Sequence, residues 1–338
     1  MSYPATGELD TPTAGLIDHV RRAVSRYSGI PEPEIIVSEN VEKYYDNLAP
    51  ERVNAQLEQV FHLMWELNRV GLGSPDLGNT GHARLPLVQA LRLIVADLRA
   101  VAGAEPLQYT ELGPEPSKTT FILRSLRAEG VDLRRYTGVD INPASRETME
   151  RELATLLPAG RIHYQQTLFS DLARTDYRLP GTRNLVTMLG FAEGNEHPTA
   201  VARLLDDILR PGDLFLSEMQ LLSPSGWSPV FDFYRTDLMR KFSEITLHRS
   251  RPDVESEYCV FLVPLELPEL DSPLMAAVTA ERIVGVPTGE PGLFVTNYCL
   301  KFSAAEYLRL RERSGQFVVV AQRTTADGSI AFQLAQRK

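Results

Sequence analysis

Cysteine is nearly absent from this chain: Cys259 and Cys299 are the two in 338 residues. A disulfide-built fold is thereby excluded. Both cysteines lie in apolar, strand-like runs, where buried reduced thiols are the expected state, although the spacing leaves a single bridge open. The six histidines are scattered, and no His/Cys set has metal-site spacing, so no metal is expected. Lysine is also scarce. Lys43, Lys118, Lys241, Lys301 and Lys338 are all there are, arginine carries the remaining positive charge, and no basic block stands out. With a net charge of −9, nucleic acid and anionic membranes are poor partners. No apolar run reaches membrane-span length and no N-terminal apolar signal region exists, which predicts a cytoplasmic soluble protein. What is present is 43% hydrophobic residues, enough for a sizeable core in one large domain or two smaller ones.

The pattern changes twice along the chain. Residues up to about 100 read as helices, with apolar spacing from Val53 to Leu67 and from Leu85 to Val101. Short apolar runs then alternate with helical patterns. Leu107–Leu112, Arg135–Ile141, Ile162–Gln166, Asn184–Leu189 and Leu214–Met219 are expected strands, with helices between them. Alternation of this kind predicts an α/β fold, a mainly parallel sheet with helices on both faces. After Ser223 the segments Glu257–Val263, Arg282–Val286 and Leu293–Phe302 predict antiparallel strands. A helix over Ser303–Ser314 and a hairpin across Asp327-Gly328 close the chain.

The informative unit is Tyr109-Thr-Glu111-Leu-Gly113-Pro-Glu115-Pro-Ser-Lys118, followed by Gly138-Val-Asp140. It reads as strand, sharp turn, helix and strand, ending in a carboxylate that can accept hydrogen bonds from both hydroxyls of a ribose. The turn has one glycine, two prolines and an acid, whereas dinucleotide sites favour several glycines that let the backbone approach a pyrophosphate. An acidic, stiff turn suits a nucleoside cofactor with no phosphate and a cationic centre, which describes S-adenosylmethionine. Glu111 and Glu115 would face its sulfonium or amine. Phe169-Ser170-Asp171 adds an acid after the third strand, placed to hold the adenine amino group.

In order and spacing these motifs resemble the histidine-specific methyltransferase family, whose named member performs histidine Nα-methylation in ergothioneine biosynthesis. Glu111-Leu-Gly-Pro-Glu-Pro-Ser-Lys-Thr-Thr is similar to its E-L-G-S-G-x-S-x-K-T, and Gly138-Val-Asp140-Ile-Asn to its P-V-D-x-S. Met188-Leu-Gly-Phe-Ala-Glu-Gly-Asn195 is similar to F-L-G-S-x-I-G-N, and the stretch Gly292 to Phe302 to a G-E-x-I-x-T-E-x-S-x-K-F motif. Lys43-Tyr44-Tyr45-Asp46 is similar to an upstream F-Y-D motif. The resemblance implies a Rossmann-like class I methyltransferase sheet, with a substrate domain built from the N-terminal helices and the antiparallel segment. It implies that Gly113, Lys118, Asp140, Ser170 and Asp171 line the cofactor, and that Tyr45 and Asn195 hold the substrate's amino-acid end. The implied division is 1–100 and 223–302 for the substrate domain, 101–222 for the core, and 303–338 completing the core.

Two departures bear on substrate. The family's imidazole-binding glutamate is Asn297 here, and its nearby serine is Cys299. A neutral amide holds an imidazolium poorly. Glu193, Glu196 and Glu218, at the ends of the fourth and fifth strands, instead predict a site for a cationic nitrogen. The best sequence-based guess is the guanidine of free L-arginine, with Glu193 or Glu218 orienting the nitrogen. The alternatives are the α-amine of histidine or another amino acid, and O-methylation of a small molecule, which would need a base such as histidine or lysine at the tip of the fourth strand, or a metal. A small-molecule substrate is the expected partner, and a homodimer is also open.

Overall fold

The computed structural model describes residues 12–39, 55–79, 83–270, 274–284 and 292–338. Tyr45 lies outside them, as does the rest of the upstream aromatic motif.

The main sheet grows from β2 (Leu107–Leu112), which is buried along its whole length. β3 (Leu133–Val139) and β4 (Ile162–Gln165) lie to one side of it, and β5 (Arg183–Met188) and β6 (Leu214–Gln220) to the other, all parallel. β11 (Ile330–Arg337) runs antiparallel beside β6, and β10 (Phe317–Thr324) closes the edge, giving the order β10-β11-β6-β5-β2-β3-β4. This is the Rossmann-like, mainly parallel α/β sheet with helices on both faces expected from the sequence. The chain reverses its direction of growth between β2 and β5, and ligands of open sheets bind at the carboxyl ends of the strands flanking such a point. The polar residues inside β2 are satisfied internally. Gln108 donates to the carbonyl of Tyr177 (2.8 Å), and Thr110 donates to Asn184 (2.9 Å).

Helices α3 (Leu87–Ala102), α4 (Pro116–Ala128) and α5 (Ala144–Leu153) share one core with β2 and β3. α6 (Pro198–Ile208) packs on the other side with Leu172, Val186 and Phe215. α3, assigned from sequence to the substrate domain, therefore belongs to the main layer. It packs on β10 and β11, and Leu91, Ile94 and Leu98 are fully buried.

A second sheet has the order β1-β9-β8-β7, from β1 (Ile35–Val37), β7 (Ser256–Leu265), β8 (Leu274–Ile283) and β9 (Leu293–Lys301). Its strands are antiparallel except that β1 runs parallel to β9. α1 (Pro12–Ser28) packs on it through Leu16, Val20 and Val24, in a core that also takes Met219 and Leu221 from the end of β6. The strand expected over Arg282–Val286 is corrected here: it starts at Leu274 and ends at Ile283. Its Ala276, Ala277 and Ala280 are fully buried between two neighbours, so an alanine-rich strand with low intrinsic preference is held by its position. α2 (Ala55–Gly73), α7 (Ser228–Tyr234), α8 (Asp237–Ser250) and α9 (Ala304–Glu312) complete the described α-helices. α8 was not read from the sequence, although Thr236 caps it and Met239, Phe242 and Leu247 form its buried stripe.

The two sheets approach closely at Gly194. A Cβ there would lie 2.5 Å from Sγ of Cys299 and 3.0 Å from the carbonyl oxygen of Leu300. Backbone cannot yield as a side chain can, so Gly194→Ala is expected to cost about 1–3 kcal/mol. Thermal unfolding would show this as a lowered melting temperature, and an unchanged one would contradict the contact.

Candidate active site

The carboxyl ends of β2, β3, β5 and β6 converge beneath α2, which crosses them in sequence. Near its start, the carbonyl of Leu57 accepts from Asn142 after β3 (3.2 Å). Trp65 donates to Ser117 beside the turn after β2 (3.1 Å). Asn68 accepts from Lys118 (2.6 Å) and lies against Gly190 at the end of β5.

After β2 the chain turns at Gly113, whose φ of +74° suits glycine. Glu115 caps α4, its carboxylate accepting from the backbone N–H of Ser117 (3.0 Å) and Lys118 (2.6 Å). Glu111 is fully buried below it and accepts from Glu115 N (2.9 Å), Thr119 (2.6 Å) and Tyr136 (2.8 Å). Both acids were expected to face the cofactor's positive charge. The structure corrects this, because each is turned into its own loop and shapes it. The correction strengthens the exclusion of phosphate. The N-terminal N–H groups of α4, which would otherwise receive a phosphate, are already taken by a carboxylate.

Asp140, the first residue after β3, sits where expected. It is half-buried, and it accepts from the backbone N–H of Asn142 (2.9 Å). Burial raises its carboxyl to about 7, against the pull of the hydrogen bonds from Asn142 and Ser145. Burial also pushes Glu111 up to about 8, although Thr119, Glu115 and Tyr136 donate to it. Carboxyls in an unfolded chain titrate near pH 4. Between that value and about 7–8 the folded protein keeps two protons that the unfolded chain has lost. The stability tied to these groups is thus complete below about pH 4, declines as pH rises from there by up to about 1.4 kcal/mol per pH unit for each, and is lost once pH has passed about 7 for Asp140 and about 8 for Glu111. Denaturant titrations across this range should show the decline, and Asp140→Asn and Glu111→Gln should each flatten it.

Beyond β4, Ser170 is exposed and Asp171 pairs outward with Arg174 (2.6 Å). The side chain facing the Gly113 turn is Phe169, whose ring lies 3.7 Å from where a Cβ on Gly113 would be. Gln166, which the sequence reading missed, reaches back to the carbonyl of Ile141 beside Asp140 (3.4 Å).

The predicted catalytic acids are both neutralised within the protein. Glu218 is fully buried, and one of its oxygens accepts from Lys118 (2.6 Å) and from Gly190 N (2.7 Å). Its other oxygen, Oε1, has no hydrogen-bond partner among the described residues. Lys118, expected along the cofactor, is the partner of this acid. Glu193 is buried against Arg311, which also donates to Gln333 (3.1 Å), and it accepts from Tyr307 (2.9 Å). Neither acid is free to grip a cationic substrate, because its counter-charge is already supplied. Asn195 and Glu196 are half-buried on the turn between β5 and α6, and His197 caps α6 through Nδ1, as its position before Pro198 suggests.

Instead of acids, the tip of β5 presents Phe191. Among the described residues it is the one non-glycine with positive φ, +65°, a conformation costing about 1–2 kcal/mol for an L-residue. Two lysine side chains lie near its ring, Nζ of Lys118 at 5.8 Å and Nζ of Lys301 at 5.7 Å. β9 contributes Asn297, Cys299 and Lys301, all buried. Lys301 donates to the Tyr234 hydroxyl (3.1 Å) and to Cys299 Sγ (3.0 Å). Phe233 meets both Phe191 and Tyr234 edge-on, at 5.4 and 4.9 Å. Tyr234 is buried, whereas Trp227 is exposed. A lysine inside an apolar strand is a signal legible in the sequence.

Surface hollows lined by Tyr177, Arg178 and Asp207 and by Arg183 and Gly212 lie near the amino ends of the strands, the end of a parallel sheet that does not bind ligands. Among the described residues no group of three or more His, Cys, Asp or Glu could hold a metal ion, and no helix is long and apolar enough to cross a membrane.

No protein-family model matches the chain, and no curated protein matches it. Solved structures do. The CcbJ methyltransferase from Streptomyces caelestis is similar at 14% identity and a TM-score of 0.41, over 80% of this chain and 95% of that one. Geranyl diphosphate C-methyltransferase from Streptomyces coelicolor A3(2) is similar at 12% identity and a TM-score of 0.39, over 80% and 89%. A SAM-dependent methyltransferase from Thiobacillus denitrificans is similar at 14% and 0.33, over 60% and 73%. At these values the likeness bears on neither cofactor nor substrate, which are argued from the residues.

Proposed function

We propose that this protein is an S-adenosylmethionine-dependent methyltransferase acting on a small molecule. The observation that carries the proposal is Asp140, a half-buried carboxylate at the tip of β3, beside a turn whose helix N-terminus is already capped by Glu115. A ribose needs such an acceptor, and a phosphate finds no free donors at that helix. Phe169 and Gln166 flank the same space. When bound, the cofactor would supply a methyl group activated by a positively charged sulfur. The protein's part is to seat it, exclude water and align the acceptor. Arginine's guanidine loses its support, because the acids offered for it are matched by Lys118 and Arg311. Methylation of a histidine-like α-amine rests on the motif likeness around Asn195 and Asn297.

Melting with added ligands tests the cofactor. A hundredfold excess of S-adenosylhomocysteine over its Kd adds about 2.7 kcal/mol of stability, visible as a raised melting temperature, whereas NAD or ATP should leave it unmoved. A shift with NAD and none with S-adenosylhomocysteine would contradict the proposal.

A further inference from the structure

Resting on that reading, the charges at the β5 tip point to the kind of acceptor. Glu193 faces Arg311 and Glu218 faces Lys118, so each acid is neutralised. Lys301 is fully buried, yet its partners among the described residues are a phenol and a thiol, with no carboxylate. Sγ of Cys299 also lies 3.7 Å from the backbone carbonyl oxygen of Phe191 and 3.8 Å from that of Leu300. We propose that Lys301 takes the hydroxyl proton of the methyl acceptor, and that the acceptor is therefore a flat compound with an acidic hydroxyl, a phenol or an enol.

The surroundings favour this role. Rings of Phe191 and Tyr234 lie 5.7 and 5.1 Å from Nζ, and Phe233 joins them. Burial lowers the lysine's pKa, with Cys299 pulling the other way, so an amine free to accept a proton is more accessible here than in water. Flat aromatic faces suit a flat unsaturated ligand. The step balances. The hydroxyl proton passes to Nζ, an oxygen lone pair forms the new C–O bond to the methyl carbon, and the C–S bond breaks with its electrons going to sulfur. The sulfonium becomes a neutral thioether, and the ammonium later returns its proton to water.

The test offers isotopically labelled S-adenosylmethionine and a panel of phenols, enols, carboxylic acids, amines and guanidines. Label is expected in methyl ethers of the phenols or enols. Lys301→Met should reduce the transfer rate by about 100-fold or more while leaving the melting shift with S-adenosylhomocysteine unchanged. Lys301→Arg should be as slow, because a guanidinium cannot take the proton. Label in amines, guanidines or carboxylic acids would overturn the inference. So would a wild type that binds S-adenosylhomocysteine but labels no phenol or enol, or a Lys301→Met variant that keeps its rate. A wild type that does not bind S-adenosylhomocysteine overturns the cofactor reading itself, and this inference with it.

Discussion

Arg311→Met is expected to lower folding stability by about 3–5 kcal/mol, because it leaves the Glu193 carboxylate buried without its counter-charge. Glu193 and Arg311 are both about 95% or more out of water. Arg311 also stacks on Phe215 at 4.5 Å and holds Gln333, so it joins the turn after β5 to α9 and β11. Replacing both charges, as in Glu193→Gln with Arg311→Met, should recover most of the loss, since an apolar or neutral pair avoids desolvating two ions. Denaturant unfolding of the single and double variants measures this. If Glu193 were instead a substrate-binding acid, Arg311→Met would spare stability and change turnover.

The second large effect is on the cofactor. Asp140→Asn keeps the shape of the side chain and an oxygen that can accept from Asn142 N, so the fold should survive. What is lost is the charge that strengthens hydrogen bonds from the ribose hydroxyls. Hydrogen bonds to a charged group are worth about 1.5–3 kcal/mol, so the Kd for S-adenosylhomocysteine should rise by about 10- to 100-fold. Calorimetric titration would show it. The same variant should show no comparable change in stability at low pH, where Asp140 is protonated in the folded and unfolded chain alike.

The sequence carried the main sheet and its ligand-binding edge because their signals are local. The strand ending at Leu112, the single-glycine turn at Gly113 and the acid at Asp140 lie within one short unit, and hydrophobic rhythm with turn chemistry specifies it. Direction was harder to read. Glu111 and Glu115 stood at the right end of the sheet, but which way a carboxylate points depends on the donors it meets. Nothing local distinguishes a helix cap from a ligand contact. The acids at Glu193 and Glu218 were misread for a longer-range reason. Their cations lie 118 and 100 residues away in the chain, so a charge that looked free in one dimension is paired in three. The alanine-rich β8 failed on intrinsic preference, since its place between two strands overrides it. Lys301 shows the converse. A lysine in an apolar run implied burial, but its lack of a carboxylate partner among the described residues emerged only from packing.

The central claim is that the carboxylate at the tip of β3 seats the ribose of a sulfonium cofactor, and its own proton offers the most direct test. Folded Asp140 titrates at about 7, and donors from a ribose favour its ionised form. Affinity for S-adenosylhomocysteine should therefore rise by about tenfold between one pH unit below and one above that value. In Asp140→Asn the dependence attributable to this group should vanish and the affinity stay low. Equal, pH-independent binding by both proteins would contradict the account.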